Sequence, residues 1–130
     1  MNANKEQAQS LFAAGLRDRL SLRLLRESSE APQEAMGFHA QQACEKLVKS
    51  VLVIHGVIFE RTHDLAVLAS MCDAHGIHLP ADKDALRILN NFAVRFRYEI
   101  CPVALIDTSE TATLVDTLTA WAEQEIAHLS

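Results

Sequence analysis

The sequence predicts an all-α protein, an antiparallel four-helix up-and-down bundle with one additional short helix. Apolar residues recur every three or four positions along most of the chain, which is the repeat of a helix with one buried face. Glycine and proline are few, and Gly56, Gly76 and the three prolines lie at the ends of these periodic segments or between them, where they separate one helix from the next. No segment shows convincingly the alternation of apolar and polar residues that indicates a strand.

The chain is expected to form one domain over residues 1–130, with its core from about residue 5 to residue 129. A length of 130 residues is ordinary for a single domain, and the apolar share of 49% is enough to fill one core. No internal repeat, low-complexity run or linker divides the sequence. We therefore predict no domain boundary.

The first helix is predicted to run from about Lys5 to Arg26. Four apolar residues spaced four apart are expected to form its buried side: Phe12, Leu16, Leu20 and Leu24. Four arginines lie on its other side and indicate either surface charge or a weak docking face: Arg17, Arg19, Arg23 and Arg26.

The second helix is predicted from about Pro32 to His55, with Gly56 as its C-terminal stop. Its apolar stripe is broad, which is typical of a central helix that packs against more than one neighbour. Its polar face includes Glu45 and Lys49, whose spacing allows an ion pair along one side of a helix.

Three further helices follow. A short one is expected to be capped by Thr62, to hold Asp64 in its first turn and to end near Gly76. The next is predicted from about residue 82 to residue 98. The last is predicted to begin at residue 108 or 109 and to reach residue 129.

The composition excludes several classes of protein. Cys44, Cys72 and Cys101 are widely separated, so they predict no disulfide framework and favour the reducing cytoplasm. We expect them to be core residues or idle thiols.

No stretch approaches the ~20 apolar residues of a membrane helix, and the N-terminus lacks the pattern of a secretory signal. The net charge of −5 argues against a generic polyanion binder. No metal-ligand spacing and no phosphate-binding glycine loop is present, so no metal and no cofactor are predicted.

Three motifs occur in a fixed order along the chain. Residues 41–49 read QQACEKLVK, residues 61–65 read RTHDL, and Arg97-Tyr98 follows an apolar segment. This series resembles the HEPN family of nucleotide- and RNA-associated helical domains, in which a QQAxEKxxK signature lies on the second helix. Asp18 is similar to the acidic residue usual in the first helix of that family.

The resemblance implies a helical bundle that is commonly a homodimer and is often encoded beside a minimal nucleotidyltransferase. Many family members are ribonucleases that act as toxins or defence effectors through an Arg-x(4–6)-His motif. No arginine of this chain has a histidine at that spacing. The chain therefore resembles the RY-type branch, and we expect a partner of a nucleotidyltransferase, in a toxin–antitoxin type of module, rather than an enzyme.

The predicted ligand-binding face lies on the penultimate helix. Arg87, Asn91 and Arg95 are spaced four apart and would share one side of that helix, with Arg97 beside them. A positive, polar groove of this kind suits the phosphate groups of a nucleotide or RNA. Lys46 and Lys49 of the second helix would extend it, oriented by Gln42 and Glu45. The alternative is that both faces are simply solvated helix surfaces.

Two further residues have open interpretations. Tyr98 could stack on a base, be modified by a partner nucleotidyltransferase, or cap the end of the bundle. His63 could bind phosphate or act as an acid or base, although its Thr-His-Asp setting also suits a helix cap. No catalytic residue is assigned. The second hypothesis is a divergent ribonuclease that would use Arg95 or Arg97 with His63 across a dimer, and the third is a purely structural interaction module.

Overall fold

The computed structural model describes residues 2–93 and 106–129 of the chain. Five α-helices occupy these residues: α1 Asn2–Glu27, α2 Gln33–Ile54, α3 Leu65–Ala74, α4 Lys83–Asn90 and α5 Thr108–Leu129. The described ranges contain no strand, so the all-α prediction is confirmed. No helix among them is long and apolar enough to cross a membrane.

Helix α2 is the centre of the fold. It packs against each of the other four helices, as its broad apolar stripe predicted, and α1, α2 and α5 form the main bundle. Leu47, Val51 and Leu52 of α2 are completely buried. Gly15 brings α1 close to α2, because a Cβ atom at this glycine would lie 3.1 Å from the side chain of Leu47.

The buried side of α1 differs from the predicted one. Leu20 and Leu24 are 45% and 55% exposed, so the prediction that they belong to the core is wrong. Residues exactly four apart drift around a helix of 3.6 residues per turn by about 40° at each step, or about 120° between residues 12 and 24. The side that faces α2 and α5 follows alternating steps of three and four instead, and its residues include Ala8, Gly15, Asp18 and Leu22.

Helix α4 is shorter than predicted. It ends at Asn90 with Asn91 as its C-cap, whereas the sequence predicted one helix to residue 98. The chain turns here because buried Phe92 packs against Gly37 of α2. A Cβ atom at Gly37 would lie 2.4 Å from the Phe92 ring, so only glycine leaves room for this contact.

The helix ends show which local signals were correct. Gly56 follows α2 with φ of +75°, a left-handed conformation that suits glycine and confirms the predicted stop. Thr62 does not cap α3: the N-cap is Asp64, whose carboxylate accepts hydrogen bonds from the backbone of Ala66 and Val67. Asp107 does the same for the start of α5, where the predicted bounds are confirmed.

Candidate functional site

A buried carboxylate, Glu45, organises the polar edge of α2. This edge is the side of the helix that bears Gln41, Gln42, Glu45, Lys46 and Lys49. Glu45 is only 3% exposed. Oε2 lies 2.9 Å from Nζ of Lys49 and 3.0 Å from Nδ1 of His63, and Oε1 accepts a hydrogen bond from Gln41 at 3.2 Å. A charge removed from water needs such partners, since an unpaired buried carboxylate is strongly unfavourable. Glu45 thus fixes the positions of one ammonium and one imidazole.

The two glutamines of the QQ pair connect this carboxylate to the loop before α3. Gln41 is completely buried, and its Nε2 also donates to the backbone carbonyl of His63 at 3.0 Å. Gln42 donates to Oε1 of Gln41 at 2.7 Å. The segment 41–49 and the RTHDL segment therefore meet in space, as neighbours in one hydrogen-bond network.

Asn90 joins α4 to the same region. Its Oδ1 accepts from the backbone N–H of Leu65 at 2.9 Å, and its Nδ2 donates to the carboxylate of Asp64 at 2.8 Å. Asparagine is a poor residue for a helix interior, and this contact gives the physical reason for its presence at the end of α4. Asn90 thus links the end of α4 to the start of α3 through these two hydrogen bonds.

A second buried carboxylate, Asp18, lies between α1 and α2. Its residue is 8% exposed. Oδ1 lies 2.9 Å from Nδ1 of His39, and Oδ2 accepts from Nζ of Lys46 at 2.5 Å. His39 and Lys46 are seven residues apart, two helical turns, and therefore lie on one side of α2. The sequence indicated Asp18 only by family resemblance and did not predict the role of His39.

The predicted site residues fall into three groups. Lys46, Lys49 and His63 gather along the polar edge of α2 and the adjoining loop. Arg87 lies on the surface, where it pairs with Asp84 at 3.0 Å, and Asn91 is exposed just beyond the end of α4. Arg95, Arg97 and Tyr98 lie outside the described residues. Helix α4 stops at Asn90, so Asn91 lies at its C-cap rather than within the helix. The face that Arg87 and Asn91 would share with Arg95 stays a prediction.

The histidine of this edge is the group best placed for chemistry with a ligand. His63 has a side chain that is 62% exposed, and Glu45 occupies its Nδ1. Nε2 is then left to donate a proton to a ligand or to accept one, depending on the charge of the ring. Lys46 and Lys49 are less accessible, with side chains 28% and 13% exposed.

The thiols of the described residues are not nucleophiles at neutral pH. Burial raises the pKa of Cys44 to about 12. Burial, with a smaller contribution from the negative charge of Asp73, raises the pKa of Cys72 to about 11. Both thiols therefore stay protonated, in agreement with their prediction as core residues. No cluster of metal-ligating side chains occurs within residues 2–93 and 106–129.

These features define a class: an all-α bundle in which two buried carboxylates, Asp18 of α1 and Glu45 of α2, hold basic side chains of the central helix. The chain belongs to the HEPN domain family, whose model matches residues 8–123. Its fold is similar to the crystal structure of an archaeal HEPN homologue, with a TM-score of 0.62 at 20% sequence identity. That similarity covers 92% of this chain and 98% of the archaeal one. No curated protein has a sequence that matches this chain.

Proposed function

We propose that the chain is an RY-type HEPN protein that binds the phosphate groups of a nucleotide or RNA and works as a homodimer with a minimal nucleotidyltransferase, in a toxin–antitoxin type of module. The proposed binding site rests on one observation. Lys46, Lys49 and His63 are held in place along one edge of α2 by the buried carboxylates of Asp18 and Glu45.

Cations fixed in this way retain capacity for a ligand. An ammonium group has three N–H donors, and each of Lys46 and Lys49 uses one of them on its carboxylate. The remaining donors, together with Nε2 of His63, can bind phosphate oxygens. Side chains that are already ordered lose less conformational entropy when the ligand binds, which favours affinity.

Calorimetric titration with ATP and with a short single-stranded RNA tests this site. Lys49→Met should weaken binding by about tenfold, which corresponds to about 1.4 kcal/mol. Lys83→Met is the matched control, because Lys83 is a surface lysine paired with Asp73 outside the polar edge and should leave affinity unchanged. Absence of binding by the wild-type protein, or equal losses in both variants, would refute the site.

The proposed protein partner requires a separate experiment. A reading frame beside the gene should encode a short nucleotidyltransferase with a Gly-Ser and paired-aspartate signature. Co-expression with that protein should give a complex on size-exclusion chromatography, and sedimentation of the chain alone should show a dimer. A monomer that does not associate with the neighbour would contradict this half of the proposal and leave phosphate binding intact.

Ribonuclease activity is the second candidate, and His63 is the observation that favours it. An exposed imidazole held through Nδ1 by a carboxylate has the arrangement of a general base. Cleavage of a fluorescent RNA should then be lost in both His63→Gln and Arg97→Ala. RNA that remains intact after long incubation with wild-type protein would exclude this activity.

A further inference from the structure

A groove of about 320 Å³ lies between α1 and α5, and no residue of α2 lines it. Buried Leu22 and Val115 form its floor, and Leu16 and Leu20 continue the apolar surface along α1. Leu20 is 45% exposed, and Leu24, one turn further along α1, is 55% exposed. Exposed leucines that adjoin a groove are typical of a surface that another chain covers.

Three arginines of α1 line the groove beside these leucines. Arg19 pairs with Asp116 at 2.8 Å, and Arg26 donates to the hydroxyl of Ser109 at 3.2 Å. Arg23 has neither a hydrogen bond nor an ion pair with any residue in 2–93 or 106–129. The groove thus presents an apolar surface next to one guanidinium that has no partner in the described part of the chain and two others that are only partly engaged.

We infer that this groove binds an acidic amphipathic helix of a partner protein. Leucine side chains of that helix would cover Leu16 and Leu20, and its carboxylates would pair with Arg23 and Arg26 in the bidentate geometry that guanidinium allows. Arg26 lies ten positions after Leu16 on α1, a length of about 15 Å, which matches about three turns of a helix. This inference is independent of the proposed phosphate site.

Other occupants fit the groove less well. A second copy in a twofold arrangement would bring together two copies of a lining that carries three arginines and one carboxylate, so two surfaces of net positive charge would meet. For an RNA strand, the described lining offers no aromatic ring on which a base could stack. Apolar contact combined with carboxylate pairing fits an acidic helix.

Fluorescence anisotropy with a designed helical peptide tests the inference. The probe is a labelled peptide of about fourteen residues, with leucine at every third or fourth position and glutamate at the flanking positions. A second peptide has lysine in place of each glutamate. We expect the acidic peptide to bind the wild-type protein. Arg23→Glu should weaken this binding by at least about tenfold, because the new carboxylate repels the glutamates of the peptide that the arginine attracted.

The matched control is Arg17→Glu, which makes the same change of charge on the same helix at an exposed position outside the groove lining. It should change the affinity by less than about twofold if the effect is local. Leu20→Gln should also weaken binding of the acidic peptide. This variant removes an apolar contact without a change of charge, so it measures the apolar contribution alone. All three positions are on the surface, and circular dichroism checks that each variant is folded.

Several results would overturn the inference. The inference is wrong if the acidic peptide does not bind at about 1 mM, or if the lysine peptide binds equally well. It is also wrong if Arg23→Glu and Arg17→Glu lose the same affinity for the acidic peptide. Displacement of the peptide by a short RNA would assign the groove to nucleic acid instead. Concentration-dependent self-association that Arg23→Glu abolishes would assign it to a second copy.

Discussion

Two regions of the molecule hold basic side chains in opposite ways. Along α2, each of Lys46 and Lys49 contacts a buried carboxylate. Along α1, Arg19 pairs with an exposed carboxylate and Arg23 pairs with none among the described residues. A cation bound to a buried carboxylate is part of the folded structure, whereas an exposed arginine contributes little to folding and remains adaptable for a partner. The comparison predicts very different costs for substitutions in the two regions.

The largest effect is expected for Glu45→Ala. The substitution leaves Lys49, whose side chain is 13% exposed, without its acceptor and removes one of the two acceptors of Gln41. Removal of one partner of a buried pair costs about 3 kcal/mol of unfolding free energy. Urea denaturation followed by circular dichroism measures it. A loss below about 1 kcal/mol would show that the polar edge of α2 behaves like a surface.

Asp18→Asn should cost less, about 2 kcal/mol. The partners of Asp18 are more accessible than Lys49, with side chains of His39 and Lys46 that are 29% and 28% exposed, so both can turn toward water. The same urea experiment applies, with Asp84→Asn as a surface control that should be nearly neutral. A larger loss for Asp18→Asn than for Glu45→Ala would contradict the ranking by exposure.

Asn90→Ala should destabilise the protein by about 1 kcal/mol, the usual net contribution of a hydrogen bond to stability. The backbone N–H of Leu65 and the carboxylate of Asp64 lose this partner, but the exposed carboxylate can bind water. Asn91→Ala, one residue further along the chain, is the control and should be neutral. Thermal melting distinguishes the two variants. Equal melting temperatures would refute a stabilising role of the hydrogen bonds that Asn90 makes.

The smallest effect is expected on α1. Arg19→Ala removes an ion pair whose side chains are 44% and 57% exposed, so it should cost at most about 0.5 kcal/mol. A double-mutant cycle with Asp116→Ala measures the coupling between the two charges. A coupling above about 2 kcal/mol would mean that α1 and α2 hold their cations in the same way.

The sequence predicted the helices better than it predicted their limits. The repeat of apolar residues located all five segments, but an exact spacing of four misplaced Leu20 and Leu24. The end of α4 depends on Asn90 and Phe92, whose partners Leu65 and Gly37 are distant in sequence. Local periodicity carries no information about such contacts.

The polar edge of α2 was predictable only in part. The spacing of Glu45 and Lys49 indicated their ion pair, which is present. The pairing of Asp18 with His39 joins two helices across 21 residues, and no local pattern reveals it. The position of His63 against Glu45 depends on the path of the loop after α2, which the sequence did not specify.

The hydrogen-bonded link that Asn90 makes between α4 and the start of α3 has a consequence for the motions of the fold. It joins residues 26 positions apart and closes the segment of α3 and α4 into a helical hairpin. Helices α3 and α4 also pack against each other, so opening one exposes the other. We expect the amide protons of both helices to exchange with solvent as a single cooperative unit, more readily than those of α2. The bundle would thus contain a smaller element that can unfold and refold while α1, α2 and α5 stay assembled.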